Sequence, residues 1–229
     1  MRGLFVTGTG TGVGKTIVSA ALLAAMRVAG EAVYAHKPVV TGLAEPPGDW
    51  PPDHELLAEA AGMEPGNVAP LRFEPAVSPH LAAALTGRPI EVGALVARAR
   101  AAGSASHTLI VEGVGGLLVP LAEDFTVRDL AVELGMPLLI AASPALGTIN
   151  HTLLTLQVAR AAGLEVHAVV LTPWPQTPSK MEISNHQTIA RLGRVEVDVL
   201  PRVSGPDPAE LAEVGGELPW RRWLEPSAL

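Results

Sequence analysis

The chain has 229 residues, the length of one α/β domain, and its 48% hydrophobic and 17% charged residues exclude intrinsic disorder. Lys and Arg number 16 against 23 Asp and Glu, a formal charge of −7, which argues against a nucleic-acid protein, since that binding neutralises phosphates with basic side chains. The absence of cysteine excludes disulfides, thiolate zinc sites, iron–sulfur clusters and a cysteine nucleophile, and with 3% aromatics the core has to be built from Ala, Val, Leu and Ile.

In chain order, residues 4–7 read as a strand, 15–29 as a helix, 32–36 as a strand, and 53–61 and 90–102 as helices. A strand at 108–112, a helix at 127–134, a strand at 137–142 and a helix at 148–162 follow, then a strand at 166–171, a helix at 183–192 and a strand at 195–200. Most of these strands are apolar on both faces, as strands covered by helices on each side are. Gly30, Gly103, Gly135 and Gly163 stand just past helical stretches, where a left-handed C-terminal residue is wanted. This alternation predicts a doubly wound, mostly parallel sheet in a single domain over residues 1–229, with ligands at the carboxyl ends of the strands. The proline-rich segments 43–52 and 172–179 read as loops. No apolar run reaches the roughly 18–20 residues of a membrane span, and the first seven residues lack signal-peptide architecture, so a cytoplasmic protein without a membrane partner is expected.

The strongest signal is the run Gly8-Thr9-Gly10-Thr11-Gly12-Val13-Gly14-Lys15-Thr16 between a strand and a helix. Alternating glycines let the backbone turn tightly and point N–H groups at phosphate oxygens, and the helix start adds its positive dipole end. Lys15 then reaches the β/γ-phosphates and Thr16 ligates Mg²⁺. Five residues separate Gly8 from Gly14, one more than usual, and the dinucleotide pattern G-x-G-x-x-G fails in every register. A Gly-rich structural turn is the alternative. The flanking strand and helix favour nucleoside triphosphate binding.

Two further strand ends carry charge. Lys37 follows residues 32–36 and, beside a phosphate loop, suits a transferring phosphoryl group or an anionic intermediate, although alone it would pass for a solvated lysine. Glu112 closes 108–112 and is followed by Gly113, Val114, Gly115 and Gly116; it reads as a metal-associated acid or as a structural acid capping the next turn. Asp53 opens a helix and is either its N-cap or, with Thr16 and Glu112, part of an oxygen-ligand Mg²⁺ set.

VTGTGTGVGKT (6–16), HKPVVTG (36–42), SPHLAA (78–83), VEGVGGLLVPL (111–121) and LGTINHTLLTLQ (146–157) resemble the dethiobiotin synthetase family in order and spacing, over about residues 1–170. The resemblance implies a P-loop fold, a homodimer with its site at the subunit interface, and conversion of 7,8-diaminononanoate, CO₂ (as bicarbonate) and ATP or another triphosphate to dethiobiotin with Mg²⁺. By position it makes Lys37 the catalytic lysine, assisted by Lys15 and Thr11, and Thr16, Asp53 and Glu112 the metal set. It places Thr11, Lys37, Thr41, Gly115, Thr148 and Asn150 at the substrate, the last two from the other subunit. The implied nucleotide site takes in Gly12, Val13, Gly14, Lys15, Thr16, Ile17, Asp53, Glu112, Gly113, Val114, Gly115, Thr172 and Pro201.

Several residues depart from the family pattern. Gly10 and Gly12 stand where many relatives have acidic residues, and Asn185 stands where a tyrosine holds the substrate carboxylate. Thr172-Pro173 replaces an Asn-Asp pair that reads adenine; without an amide side chain or a proline N–H, weak base discrimination is expected. A partitioning or regulatory ATPase is the alternative of another class, though such proteins often carry an extra lysine early in the loop and none precedes Lys15 here. His54, His80 and His151 have no ligand-like spacing and read as surface or hydrogen-bonding residues, and Arg221 and Arg222 as a solvated patch in a tail too short and proline-broken for a membrane helix.

Overall fold

A computed structural model describes residues 1–46, 48–103 and 107–225. The first half runs β1 (Gly3–Gly8), α1 (Lys15–Val28), β2 (Val33–His36), β3 (Val39–Val40), α2 (Asp53–Ala61), α3 (Pro65–Val68), β4 (Leu71–Arg72), α4 (Pro79–Thr86) and α5 (Val92–Ala102). The second runs β5 (Thr108–Gly116), β6 (Pro120–Ala122), β7 (Phe125–Thr126), α6 (Val127–Leu134), β8 (Leu138–Ala142), α7 (Thr148–Ala161), β9 (Val166–Trp174), α8 (Lys180–Gly193), β10 (Glu196–Pro201), α9 (Pro208–Gly216) and α10 (Trp220–Trp223).

Among the described residues, six strands form one parallel sheet in the order β10-β9-β8-β1-β5-β2, with β1 near its middle. Side chains alternate across it. Leu4, Val6, Ile110, Leu139 and Val170 enter the layer under α1, α2 and α9, while Phe5, Leu109, Val111 and Leu138 enter the layer under α5 and α6. Because both faces are covered, the strands read as continuous apolar runs. Among the described residues, no helix is long and apolar enough to cross a membrane.

The structure departs from the sequence reading in identifiable places. Residues 172–174, expected in a loop, continue β9, with Trp174 paired to Pro201 of β10. The helix expected from residue 183 begins at Lys180, where Ser179 and Glu182 form a reciprocal capping box. Gly30, Gly135 and Gly163 have the positive φ expected after a helix, but Gly103 has φ −88°. Trp220 and Trp223, in the C-terminal segment, are among the largest fully buried side chains. Their arginine neighbours are exposed, as a solvated patch is: Arg221 lies 4.2 Å over the Trp220 ring and Arg222 pairs with Glu196.

Helix α9 presses directly on α1, the helix that follows the glycine-rich turn. A Cβ on Gly215 would lie 2.1 Å from the Ala21 carbonyl oxygen, whereas one on Gly216 would meet nothing within 4 Å. Gly215→Ala is therefore expected to destabilise the fold by about 1–3 kcal/mol through overpacking, with Gly216→Ala neutral to slightly stabilising. Urea unfolding of the two variants checks this; equal midpoints would show that α9 is not seated on α1.

Candidate active site

The turn between β1 and α1 is held in place by its backbone. Gly12 (φ 71°) and Gly14 (φ 90°) occupy the left-handed region, where a Cβ is costly. A Cβ on Gly12 would meet open space, so glycine answers to conformation there; on Gly14 it would also strike Thr172 Cγ2 at 2.4 Å. Thr9 N–H donates to Ala141 O at 3.1 Å, fastening the turn to β8, and Lys15 Nζ donates to Gly10 O at 2.8 Å, laying its ammonium across the loop. Helix α1 starts with neither a side-chain cap nor an acidic residue, which leaves its first N–H groups and dipole end for an anion.

Beside this turn the sheet register assembles a charge cluster. His36 of β2 pairs with Val111 of β5, so Lys37, the next residue, falls beside Glu112. The Lys37 side chain is 4% exposed and pairs with Glu112, which is 1% exposed, and with Asp53 Oδ2 at 2.7 Å. Thr16 Oγ1 donates to Glu112 Oε1 at 2.9 Å and stands near enough to Asp53 to help keep that carboxyl ionised. Burial alone would depress the Lys37 pKa, but Glu112 and Asp53 outweigh it and hold the ammonium protonated well above the ordinary lysine range. Burial likewise pushes Asp53 up, and Lys37 with the Thr16 hydrogen bond brings it below the usual carboxylate value. Lys15 is lowered by burial and by Lys37, against the pull of Glu112 and Asp53. The neighbouring His36 imidazole is pushed down to about 4 by burial, with Arg98 adding to the effect, and is neutral at physiological pH.

These groups face one cleft of about 740 Å³, which gathers Thr11, Gly12, Gly14, Lys15, Thr16, Ile17, Lys37, Thr41, Asp53, Val114 and Gly115. Glu112 joins them through its bonds to Thr16 and Lys37. Val13 instead packs against the core, and a Cβ on Gly113 would meet Val127 and Phe5. Thr172 sits behind Gly14, and Pro201 ends β10 beside Trp174. Neither lines the cleft. Thr148 and Asn150 lie apart at the start of α7, the first buried against Thr152 and the second exposed. Asp53 is the first helical residue of α2, and Pro52 occupies the cap position. Asn185 is buried and donates to Pro144 O at 2.9 Å, a structural bond. His54 is buried with an unpartnered Nδ1, where a surface or hydrogen-bonded ring was expected; His80 bonds to Ser78 and His151 is exposed.

Trp50 and Pro51, and Ala76 to Pro79 on the opposite stretch of chain, also line the cleft. The sequence reading missed these as lining residues; the SPHLAA motif was the one signal for the second group.

Among the described residues, no three His, Asp or Glu side chains gather as a metal cage. A hydroxyl and two carboxylates beside a phosphate loop are nonetheless what Mg²⁺ needs when phosphates and water complete its shell. Glu112 Oε2 is buried without a hydrogen-bond partner, an orphaned acceptor that fits a cation or its bound water.

The parallel sheet, the glycine turn at the end of β1 and the lysine–carboxylate cluster define a P-loop nucleotide-binding α/β protein. A family profile described as AAA domain matches residues 2–226. The chain is 45% identical over 193 residues to the ATP-dependent dethiobiotin synthetase of Anaeromyxobacter sp. (strain Fw109-5), covering 84% of this chain and 86% of that one. It is 37% identical to that of Mycobacterium sp. (strain KMS) over 98% of both chains, and 33% identical to that of Bacillus subtilis (strain 168) over 89% of both. The chain belongs to the dethiobiotin synthetase family. Among solved structures, the fold is shared with a ParA family ATPase from Chlorobium tepidum TLS, at TM-score 0.57 and 11% identity over 95% of this chain and 98% of that one. The MinC:MinD cell division protein complex of Aquifex aeolicus matches at TM-score 0.60 and 13% identity over 100% and 98%.

Removing the Lys37 ammonium leaves Glu112 buried and unpaired, so Lys37→Ala should cost about 3–5 kcal/mol at neutral pH, and a Lys37→Met/Glu112→Gln double variant much less. Asp53, depressed in the fold, contributes stability above its ordinary value of 3.8 and loses it as pH falls through its folded pKa. Lys37, raised in the fold, contributes fully below its ordinary 10.5 and loses it as pH rises through its folded value. The Lys37→Ala penalty should therefore hold steady across neutral pH and shrink in acid. Urea unfolding over that range checks it, and a penalty near zero at neutral pH would contradict the pairing.

Proposed function

We propose that the chain is a Mg²⁺- and nucleoside-triphosphate-dependent dethiobiotin synthetase, a ligase that carboxylates 7,8-diaminononanoate with CO₂ and closes the cyclic urea. One observation carries this reading: a buried lysine held charged by two carboxylates shares a cleft with a phosphate loop, in a chain of this family. One substrate amine captures CO₂ and releases a proton, giving a carbamate. A carbamate oxygen attacks the γ-phosphorus as the diphosphate leaves, forming a carbamic–phosphoric anhydride. The second amine then attacks the carbonyl carbon, phosphate leaves and the ring closes.

Every stage crowds negative charge, so the chemistry calls for fixed cations more than for a nucleophile or a strong base. Lys15 serves the β/γ-phosphates and Lys37 the γ-phosphoryl group and the carbamate. Thr11, Thr41 and Gly115 face the substrate. Thr16, Asp53 and Glu112 would hold Mg²⁺, which when bound offsets phosphate charge.

Thr148 and Asn150 reach the substrate in this reading as residues of a second copy. Leu118, Leu146 and Leu154 are exposed by 55%, 88% and 52%, apolar surface that a homodimer would cover. The reaction is placed in the cytoplasm. A nucleotide-switch reading is less favoured: the partitioning proteins share only the fold at this identity, and no lysine precedes Lys15 in the loop.

Phosphate release by the purified protein should depend on both the diamine and bicarbonate, and labelled bicarbonate should enter a cyclic urea; release indifferent to both would refute the reading. Lys37→Ala, assayed below its own melting transition, should lower kcat by about 10²–10³-fold. With Thr172 packed behind Gly14 and Pro173 lacking an N–H, kcat/KM for ATP, CTP and GTP should agree within roughly tenfold. A strong preference for ATP would show that other groups read the base.

A further inference from the structure

We propose that Trp50 shields the reacting centre from water, so that the γ-phosphoryl group is committed to urea formation and is not lost to hydrolysis. This inference rests on the carboxylation reading above. Trp50 is followed by Pro51 and Pro52. A residue before proline is confined to extended backbone and proline fixes its own φ, so this short stretch has little freedom. Pro52 (φ −51°, ψ 143°) caps α2, whose first residue is Asp53. The backbone of Trp50 is thereby restrained relative to one of the two carboxylates that hold Lys37. The other end of the segment is pinned to the strap after β4, by Leu43 N–H to Phe73 O at 3.2 Å and Ala44 N–H to Glu74 O at 3.1 Å.

Trp50 and Ile17 are half-buried and pack against the cluster that contains Leu56, and all three line the cleft with Lys37 and Asp53. Trp50 is the single aromatic lining it among the described residues, in a chain with 3% aromatics. An indole has one N–H donor on a large apolar ring; beside an Asp53 side chain that is 48% exposed, what it chiefly supplies is apolar bulk. That bulk matters for the proposed intermediate. Water adding to the carbamic–phosphoric anhydride breaks it into phosphate and carbamate, which consumes a triphosphate without forming urea. Excluding water from a closed site suppresses such side reactions and strengthens the charge interactions of Lys37.

The test measures phosphate released against cyclic urea formed by the full chain with Mg²⁺, triphosphate, diamine and bicarbonate. The wild-type protein should be stoichiometric. Trp50→Ala should release roughly three- to tenfold more phosphate than urea, while Trp50→Phe and Trp50→Leu, which retain apolar bulk, stay near stoichiometric. Stoichiometric turnover by Trp50→Ala, or phosphate and urea falling in equal proportion, would overturn the proposal. Should Trp50→Ala not fold, Trp50→Gln, which keeps much of the length but binds water, is expected to uncouple, and stoichiometric turnover by that variant is equally contrary. Wild-type protein that forms no urea refutes the carboxylation reading and this inference with it; coupled Trp50→Ala in a urea-forming protein removes the Trp50 role alone.

Discussion

Lys37 carries a full charge into the protein with 4% of its side chain exposed, and much of the architecture answers to what neutralises it. A buried ammonium without partners is lost to deprotonation; Glu112 and Asp53 prevent that, and each arrives by a different structural route. The β2–β5 register sets Glu112 beside the end of β2, and the rigid Pro51–Pro52 pair launches α2 with Asp53 at its first turn. The tight turn after β1 brings Thr16 onto both acids. Losing Lys37 leaves Glu112 buried and unpaired, and losing Glu112 leaves Lys37 with the half-exposed Asp53 alone. The cluster thus ties the sheet, α1 and α2 into one unit at the mouth of the cleft.

That unit is backed from behind. Helix α9 lies against α1 through Gly215, and α10 buries two tryptophans in the same layer, fastened by His167 Nδ1 to Trp223 O at 2.8 Å. This C-terminal segment therefore packs in the same layer as the helix whose N-terminus faces the phosphate site. Trp220 and Trp223 are each 2% exposed and add large apolar side chains to the layer that also holds α1.

The buried strands and the glycine turn were legible because periodicity and backbone demand leave a local trace. Helices α2 and α6 have the bounds their patterns predict. Short elements with little pattern of their own escaped, among them α4 and the strands β3 and β4, which pair with one another. Proline-rich composition hid the end of β9 and the Ser179–Glu182 capping box, although the latter spacing was present to be read. In the site, each member of the Thr16, Lys37, Asp53 and Glu112 cluster was visible singly, but that the acids hold the lysine is a property of the β2–β5 register and of where α2 begins. Trp50 gave no motif at all. Asn185 and Thr172, two of the departures from the family pattern, are engaged within the fold, the first in a bond to Pro144 O and the second in packing behind Gly14.

The chain contains three lysines, Lys15, Lys37 and Lys180, which makes side-chain ammonium NMR of ¹⁵Nζ-labelled lysine unusually simple to assign. A pH titration of the folded protein probes the central interaction without reference to turnover. The account predicts that one resonance, absent in Lys37→Met, stays protonated above the ordinary lysine value of 10.5 for as long as the fold survives, while the Lys15 signal titrates below that value. A Lys37 signal that titrates at or below 10.5 would contradict it, and with it the picture of a lysine kept charged by Glu112 and Asp53 for the phosphoryl group.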